Sequence, residues 1–401
     1  MYIFKAAVVG AGAMGGSIAQ VISYSGLPVV VKDIDQHALD LAREKAESIY
    51  QDRVRKGKMG ASEVASKMAL ISYQLDYEGF DDVDIVIEAV PEKMSIKQAV
   101  YKELDAACHP GAIFASNTSA LSISEMAAAT KRPNKMIGMH FFNPANVMKL
   151  VEVIPGSQTD AETVQDVVSF SQDLRKIPVV VKECAGFLVN RLLGPYLNEA
   201  AYALQEGAAT ANQIDGQATG AGMPMGPFML ADMLGLDVCY DAAGTMYKAY
   251  GERFRPAEIM GKLYQHRKLG QKSGAGFYTY SDETPPSLED LITEVQRETN
   301  LLTSDFAVDR IILPMVNEAI YALQEQVAGI GDINTAMMAG AGMRVGPLAL
   351  ADERGLDEIL SRLEAYEQQF GARFTPAPLL REKVAAGELG KKSGKGFQEY
   401  S

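Results

Sequence analysis

The sequence predicts an α/β domain with a doubly wound, mostly parallel sheet, followed by two homologous all-α domains. Three observations carry this. Strand-like apolar runs alternate with helical patterns over the first ~180 residues, the strand signals fade after Glu183, and the helical remainder repeats itself. From Ile3 to Val9 the residues are apolar and partly β-branched, glycine then breaks the run, and Met14 to Ser25 has helical periodicity. That is strand, turn, helix. Leu27 to Val31 makes a second strand, Gln36 to Lys58 a long charged amphipathic helix, and Val83 to Val90 a further buried strand before a helix over Ser95 to Ala107. More strands are expected at Ala112 to Ala115, Lys135 to Met139, Leu150 to Ile154 and Ile177 to Val181.

In the helical part, NEAAYALQE at Asn198 recurs as NEAIYALQE at Asn317, an offset of 119. GAGMPMGP at Gly220 recurs at Gly340 as GAGMRVGP, and LGQKSGAGFYTY at Leu269 recurs at Leu389 as LGKKSGKGFQEY, both offset by 120. A period this long fits a duplicated small domain rather than a solenoid. The expected division is 1–182, 183–282 and 283–401, the last opening on a linker, since Ser281 to Asp305 begins with an acidic Pro285-Pro286 stretch.

Composition narrows the function. The chain has 401 residues, 47% of them hydrophobic and 22% charged, so it can bury large cores and is not a disordered sequence. Its net charge of -13 argues against duplex nucleic acid, whose phosphates demand many cations. Cys108, Cys184 and Cys239 form neither a CxxC pair nor a disulfide framework, and no metal site is expected. With no signal peptide and no apolar run of membrane-spanning length, the expectation is a cytoplasmic protein without a membrane partner.

Gly10, Gly12 and Gly15 in GAGAMG, with Ala13 and Met14 between them, form a G-x-G-x-x-G turn between first strand and first helix. The glycines serve a tight turn, close approach to a pyrophosphate, and packing of helix on strand, as in a Rossmann-type domain. Asp33 ends the second strand, where its carboxylate can accept from ribose hydroxyls and repel a 2′-phosphate, so the expected cofactor is NAD. The neighbouring Lys32 would soften that repulsion.

Of four histidines, His37, His109 and His266 read as surface residues. His140 ends the strand KMIGMH at the carboxyl edge of the sheet, where such folds place ligands. Glu152 lies twelve residues on, inside the apolar strand LVEVI, and a buried charge there needs a partner. The turn FFNPANVM can fold the second strand back beside the first. A histidine oriented by a carboxylate suits removal of a hydroxyl proton while hydride leaves the carbon. A core histidine with an unrelated glutamate remains open on spacing alone.

These motifs, with IEAVPE at Ile87, SNTSALSI at Ser116, GMHFFNPANVMKLVEVI at Gly138 and GFLVNRLLGPYLNEA at Gly186, resemble the successive signatures of L-3-hydroxyacyl-CoA dehydrogenases over nearly the whole chain. The resemblance implies an NAD-dependent oxidoreductase of fatty-acid β-oxidation acting on an acyl-CoA, with His140 as general base and Glu152 as its orienting partner. It implies that Ser119 and Asn190 bond the substrate's oxygens, that Asn117, Glu92 and Lys97 line the nicotinamide half of NAD, and that Asn143 supports the His140 loop. Ser119 also reads as a helix N-cap, since Ser122 and Glu125 stand at capping-box spacing.

Coenzyme A needs cations, and Arg53, Arg55, Lys56 and Lys58 crowd into one segment. The family uses that excursion for CoA, with Lys56 at the expected contact position and Arg53 beside it; a solvated face of a charged helix is the plain alternative. In the second helical copy Asp309 matches Asn190, which points to a structural role. One active site per chain is therefore expected, formed with the first copy. The chain is either a monomer with an internal pseudo-dimer of helical domains or a homodimer. Competing readings are a same-scaffold dehydrogenase of a free hydroxy acid or sugar acid, and a non-catalytic NAD-binding or structural protein.

Overall fold

The computed structural model describes residues 2–281, 285–303 and 305–400. Contacts divide the chain into two compact units, the first running through Phe187 and the second starting at Leu188.

In the first unit, β1 (Ala6–Val9) leads through the glycine turn to α1 (Gly15–Tyr24), then β2 (Val29–Lys32) and α2 (Gln36–Arg55). After α3 (Ala61–Met68) come β3 (Ile71–Gln74), β4 (Ile85–Glu88), α4 (Met94–Ala107) and β5 (Ile113–Ser116). The unit closes with α5 (Ile123–Ala127), β6 (Met136–Phe141), β7 (Leu150–Pro155), α6 (Ala161–Asp173) and β8 (Ile177–Val180). The eight strands lie in the order β3-β2-β1-β4-β5-β6-β7-β8. All neighbours are parallel except β6 and β7, the hairpin expected from FFNPANVM. Short runs such as AAVV and IVIE are buried along their whole length, as strands covered on both faces must be. One face packs Ile18, Ile22, Leu39, Val167 and Phe170 onto Val8, Val31 and Ile87.

Three elements differ from the expectation. The charged helix ends at Arg55 rather than Lys58, and α3 and β3 follow before β4. The edge strand ISYQ has one buried residue, so it lacks the apolar run that betrays a central strand.

The second unit is all helical. Its first copy holds α7 (Val189–Gln205), α8 (Ala211–Gly220), α9 (Pro227–Leu234), α10 (Leu236–Tyr250) and α11 (Glu258–Gln265). After α12 (Leu288–Thr299), the second copy repeats the series as α13 (Asp309–Gln324), α14 (Ile330–Gly340), α15 (Pro347–Arg354), α16 (Leu356–Phe370) and α17 (Pro378–Ala385). The helix α12 corrects the linker expected over Ser281 to Asp305: Ser287 caps it by accepting from the Asp290 N–H, and Leu291 and Val295 are buried. The rest of that segment includes residues 282–284 and 304, which lie outside the described residues.

The copies share fine geometry. The glycine joining α9 to α10, Gly235, has φ 98° and ψ 124°, and its counterpart Gly355 has 98° and 123°. The two copies pack α7 against α13, and buried ion pairs cross the seam in matched sets. Arg191 and Arg253 hold Glu318 at 2.7 and 2.9 Å, while Arg310 and Arg373 hold Glu199 at 2.9 and 2.8 Å. Each residue of one set is the repeat counterpart of a residue in the other, which is the reciprocity of a two-fold interface. Among the described residues, no helix is long and apolar enough to cross a membrane.

Candidate active site

The glycine turn sits beside β4, at the point in the strand order where the chain reverses direction across the sheet. Gly10 has φ +100°, and a Cβ there would lie 2.6 Å from the Ala89 carbonyl oxygen. A Cβ on Gly15 would lie 1.8 Å from the Gly10 carbonyl oxygen, so the helix can approach the strand only as glycine. Gly12 differs, because a Cβ there meets nothing within 4 Å. Gly12 and Ala13 are exposed and Met14 half-buried, just before the first turn of α1. An exposed, side-chain-free backbone before a helix N-terminus is what a pyrophosphate requires, so the residues present fit a dinucleotide.

Asp33 ties this loop to the end of β2, one carboxylate oxygen accepting from the Ala11 N–H at 2.7 Å and the other from Ile34 and Asp35. Two carboxylate oxygens leave lone pairs for ribose hydroxyls. Lys32 is buried, its ammonium 4.6 Å from the Tyr77 ring centroid.

Across the switch point, Glu88 is fully buried at the end of β4 and gathers donors from the Val90 N–H, Lys97, Tyr101 and Ser116. Lys97 on α4 is 1% exposed; it bonds Glu88 at 2.7 Å and reaches Glu92 at 3.2 Å. Glu92 in turn accepts from the Thr118 hydroxyl at 2.6 Å, the Ser119 N–H at 2.8 Å and the Ser119 hydroxyl at 3.2 Å. Burial opposes the charge on Glu92, but Lys97, Thr118 and Ser119 outweigh it and hold the carboxyl below its usual range. The chain from Glu88 to Ser119 therefore fixes the turn after β5. Asn117, in the same turn, accepts from the Phe141 N–H at 2.8 Å and so joins this turn to the end of β6.

On β6, His140 is paired in register with Glu152 on β7. Its Nδ1 lies 2.7 Å from Glu152 Oε2, with His140 7% and Glu152 0% exposed. A carboxylate only accepts, so the pair places the imidazole proton on Nδ1 and leaves the lone pair on Nε2. The Phe142 and Phe187 rings flank the imidazole at 4.5 and 6.0 Å between centroids. Below the hairpin loop, Lys176 donates to the Met148 carbonyl at 2.8 Å and to that of Ala145. Burial pushes its ammonium down to about 8. Asn143 lies exposed in this loop.

Helix capping falls to Ser122 rather than Ser119: the Ser122 side chain accepts from the Glu125 N–H at the start of α5, and its hydroxyl donates to Glu183. Ser119 is left facing Glu92. Asn190 sits half-buried in the first turn of α7. Arg53 turns inward, bonding the Tyr24 hydroxyl at 2.6 Å and lying 4.1 Å from that ring's centroid. Lys56 is exposed and pairs with Asp52 at 2.6 Å. His37 and His266 are exposed, but His109 is half-buried and accepts from the Gly111 N–H, so its surface reading is corrected.

Sequence reasoning missed Glu88, Thr118 and Lys176. A glutamate ending an apolar strand was a signal for the first, as it was for Glu152. Lys176 carried none, because its partners are backbone carbonyls.

Fold and site together define a dinucleotide-binding oxidoreductase domain carrying a histidine–carboxylate pair. A family model for the 3-hydroxyacyl-CoA dehydrogenase NAD binding domain matches residues 5–184, and the C-terminal domain model of that family matches twice, over 186–280 and 306–400. The chain belongs to the 3-hydroxyacyl-CoA dehydrogenase family, and its cofactor is NAD. It is 36% identical over 403 residues to the fatty acid oxidation complex subunit alpha of Psychrobacter arcticus, an alignment covering 96% of this chain and 56% of that protein. The chain thus spans about half the length of the curated relatives it matches. Among solved structures it is similar to the 3-hydroxybutyryl-CoA dehydrogenase of Escherichia coli, with TM-score 0.88, 30% identity, and coverage of 96% of this chain and 99% of that one. It also resembles the (S)-3-hydroxybutyryl-CoA dehydrogenase of Ralstonia eutropha, at TM-score 0.68 and 40% identity, covering 70% of this chain and all of that one.

Proposed function

We propose that this protein oxidises (3S)-3-hydroxyacyl-CoA reversibly to 3-oxoacyl-CoA. The observation that carries the reading is the buried His140–Glu152 pair at 2.7 Å on the same sheet as the glycine turn. Gly10 to Gly15 and Asp33 would hold NAD, which would supply the hydride acceptor. His140 Nε2 takes the proton of the 3-hydroxyl, and Glu152 stabilises the imidazolium that results. Ser119, whose hydroxyl donates to Glu92 over a long 3.2 Å and would turn from it to the substrate, and Asn190 donate to the substrate's oxygens as negative charge grows there. Glu92, Lys97 and Asn117 fix the turn on the nicotinamide side, and Asn143 supports the His140 loop. Lys56 and Arg53 are offered for the anionic part of CoA. Lys56 suits this by its exposure, whereas Arg53 would first have to leave Tyr24.

We assign residues 1–182 to the cofactor domain, 183–282 to the helical domain that serves the reaction, and 283–401 to a structural copy. The matched ion pairs across the two copies support a pseudo-dimer of helical domains within one chain, whether that chain works as a monomer or as a homodimer. A cytoplasmic location suits the three free cysteines.

The test is NADH consumption with acetoacetyl-CoA against free acetoacetate, with His140→Gln alongside. The expected result is a large preference for the thioester, and a variant that binds NADH but has lost most turnover. Equal rates on the free acid would make this a hydroxy-acid dehydrogenase, and full turnover in the variant would remove His140 as the base.

A further inference from the structure

The strand order sets where the two halves of a dinucleotide lie on the first unit. Asp33 follows β2 on one side of the glycine turn, and His140 ends β6 on the other. A cofactor whose adenosine ribose meets Asp33, and whose hydride acceptor must come to the His140 side, therefore carries its nicotinamide half over the ends of β4 and β5. Glu88 and Ser116 end those strands, and Glu92 and Ser119 follow them. The charge gathered there is uneven. Two carboxylates, Glu88 and Glu92, share one ammonium, and among the described residues Lys97 is the only cation in ion-pair contact with either. One net negative charge remains.

Lys97 is not divided equally. It lies 2.7 Å from Glu88 and 3.2 Å from Glu92, and both Lys97 and Glu88 are sealed from water, at 1% and 0% exposure. The Val90 N–H, Tyr101 and Ser116 also donate to Glu88, which fixes its carboxylate and with it the ammonium. The residual charge falls on Glu92, whose side chain is 41% exposed. Burial opposes that charge, yet Lys97, Thr118 and Ser119 hold the carboxyl below its usual range, so it stays ionised. Were Glu88 uncharged, the same ammonium would neutralise Glu92 outright.

The two forms of the cofactor differ by one charge at this end, since the oxidised nicotinamide ring is a cation and the reduced ring is neutral. In an effective dielectric constant near 20, one unit charge shifts the binding of another tenfold even at about 12 Å. Close contact is therefore not required. We propose that Glu88, by holding Lys97 back from Glu92, leaves this wall of the site negative and weights it toward NAD+ over NADH. Glu88 is thus a positioning residue that acts on cofactor preference through Lys97 and Glu92. Hydride transfer removes the charge on the ring and this attraction with it, so the reduced cofactor leaves more readily than from a neutral wall. The assignment rests on the placement of NAD proposed above and is independent of the acyl substrate.

The experiment measures Kd for NAD+ and for NADH separately, by calorimetry on the full chain without acyl substrate. Glu88→Gln and Glu92→Gln each remove one unit of charge, the first from the sealed end of the network and the second from its exposed end. Tyr101→Phe is the control, because it removes a hydroxyl from Glu88 and no charge. The ratio Kd(NADH)/Kd(NAD+) should fall about tenfold in both glutamine variants and stay within about twofold in the control. Glu92→Gln reads the charge even where Glu88→Gln fails to fold. Parallel weakening of both cofactor forms, with the ratio unmoved, would overturn the assignment and make the network a support for the turn alone. A shift in Glu92→Gln but not in folded Glu88→Gln would also overturn it, since Lys97 would then not be held back by Glu88. Absence of binding of either form to the unaltered chain would instead overturn the placement of NAD itself, and the assignment with it.

Discussion

Replacing Glu152 by Gln isolates the electrostatic part of the proposed chemistry. The substitution keeps the side chain's length and an acceptor oxygen for the His140 Nδ1 proton, and removes only the charge. That charge matters when the imidazole becomes imidazolium. The contact is 2.7 Å between heavy atoms, which puts the charge centres about 4 Å apart. With an effective dielectric constant near 20, two unit charges at that distance attract by about 4 kcal/mol. Glu152 is 0% exposed, so salt does little to screen it. The amide dipole recovers part of the loss, leaving about 3 kcal/mol, or roughly two decades in kcat at 1.36 kcal/mol per decade. NADH affinity should stay within about twofold, because the groups on the glycine turn are held by Asp33 and not by Glu152. Steady-state reduction of acetoacetyl-CoA gives kcat, and NADH fluorescence titration gives the affinity. A kcat within about fivefold of the unaltered protein would refute the reasoning; so would an NADH affinity falling in step with kcat, which would mean the pair holds up the fold rather than a charge.

The glycine turn should separate ligand binding from folding. Gly15→Ala forces a Cβ onto the Gly10 carbonyl and should cost about 3 kcal/mol in urea unfolding, whereas Gly12→Ala should leave the fold intact and weaken NAD at least tenfold by titration; equal stability of the two variants would count against this reading. Lys176 sits near 8 in the fold and at about 10.4 unfolded, so between those values the unfolded chain binds more protons and stability should rise with pH. Thermal melts from pH 8 to 10 should show that rise, and Lys176→Met should flatten it; parallel slopes would refute it. Glu318→Gln strips the central negative charge from Arg191 and Arg253, and Glu199→Gln does the same to Arg310 and Arg373. Each should cost about 3 kcal/mol by urea denaturation, and losses below about 0.5 would mean that the seam is held by its apolar contacts alone.

The parts that were legible in the sequence are those whose chemistry leaves a local trace. The glycine turn is one: three glycines between an apolar run and a helical pattern admit few structures, and each glycine has a contact or an opening that explains it. The His140–Glu152 pair is another. A charged residue inside LVEVI called for a partner, and a strand pair joined by a short loop brings His140 opposite Glu152. What was not legible depended on distance along the chain or on weak periodicity. Lys97 reads as an ordinary helix cation, and only the fold shows it sealed at 1% exposure against Glu88. Ser119 and Ser122 both stand at cap spacing, and the cap went to Ser122 because Glu92 holds Ser119 by its N–H and its hydroxyl. The helix α12 was legible, since Leu288, Leu291, Ile292 and Val295 stand at helical spacing, but the acidic Pro285-Pro286 stretch ahead of it drew the tether reading.

The seam between the helical copies has a consequence for how the protein can change. In a two-fold dimer every substitution is made twice, once on each side of the axis, so a residue cannot be adapted to catalysis in one subunit and to cohesion in the other. Covalent fusion lifts that constraint while keeping the matched arginine–glutamate sets. It also makes docking of the copies unimolecular, so the interface no longer weakens on dilution. One half was thereby free to take Asp309 while the other kept Asn190. The ion pairs that remain matched are the positions where both halves still answer to the same demand.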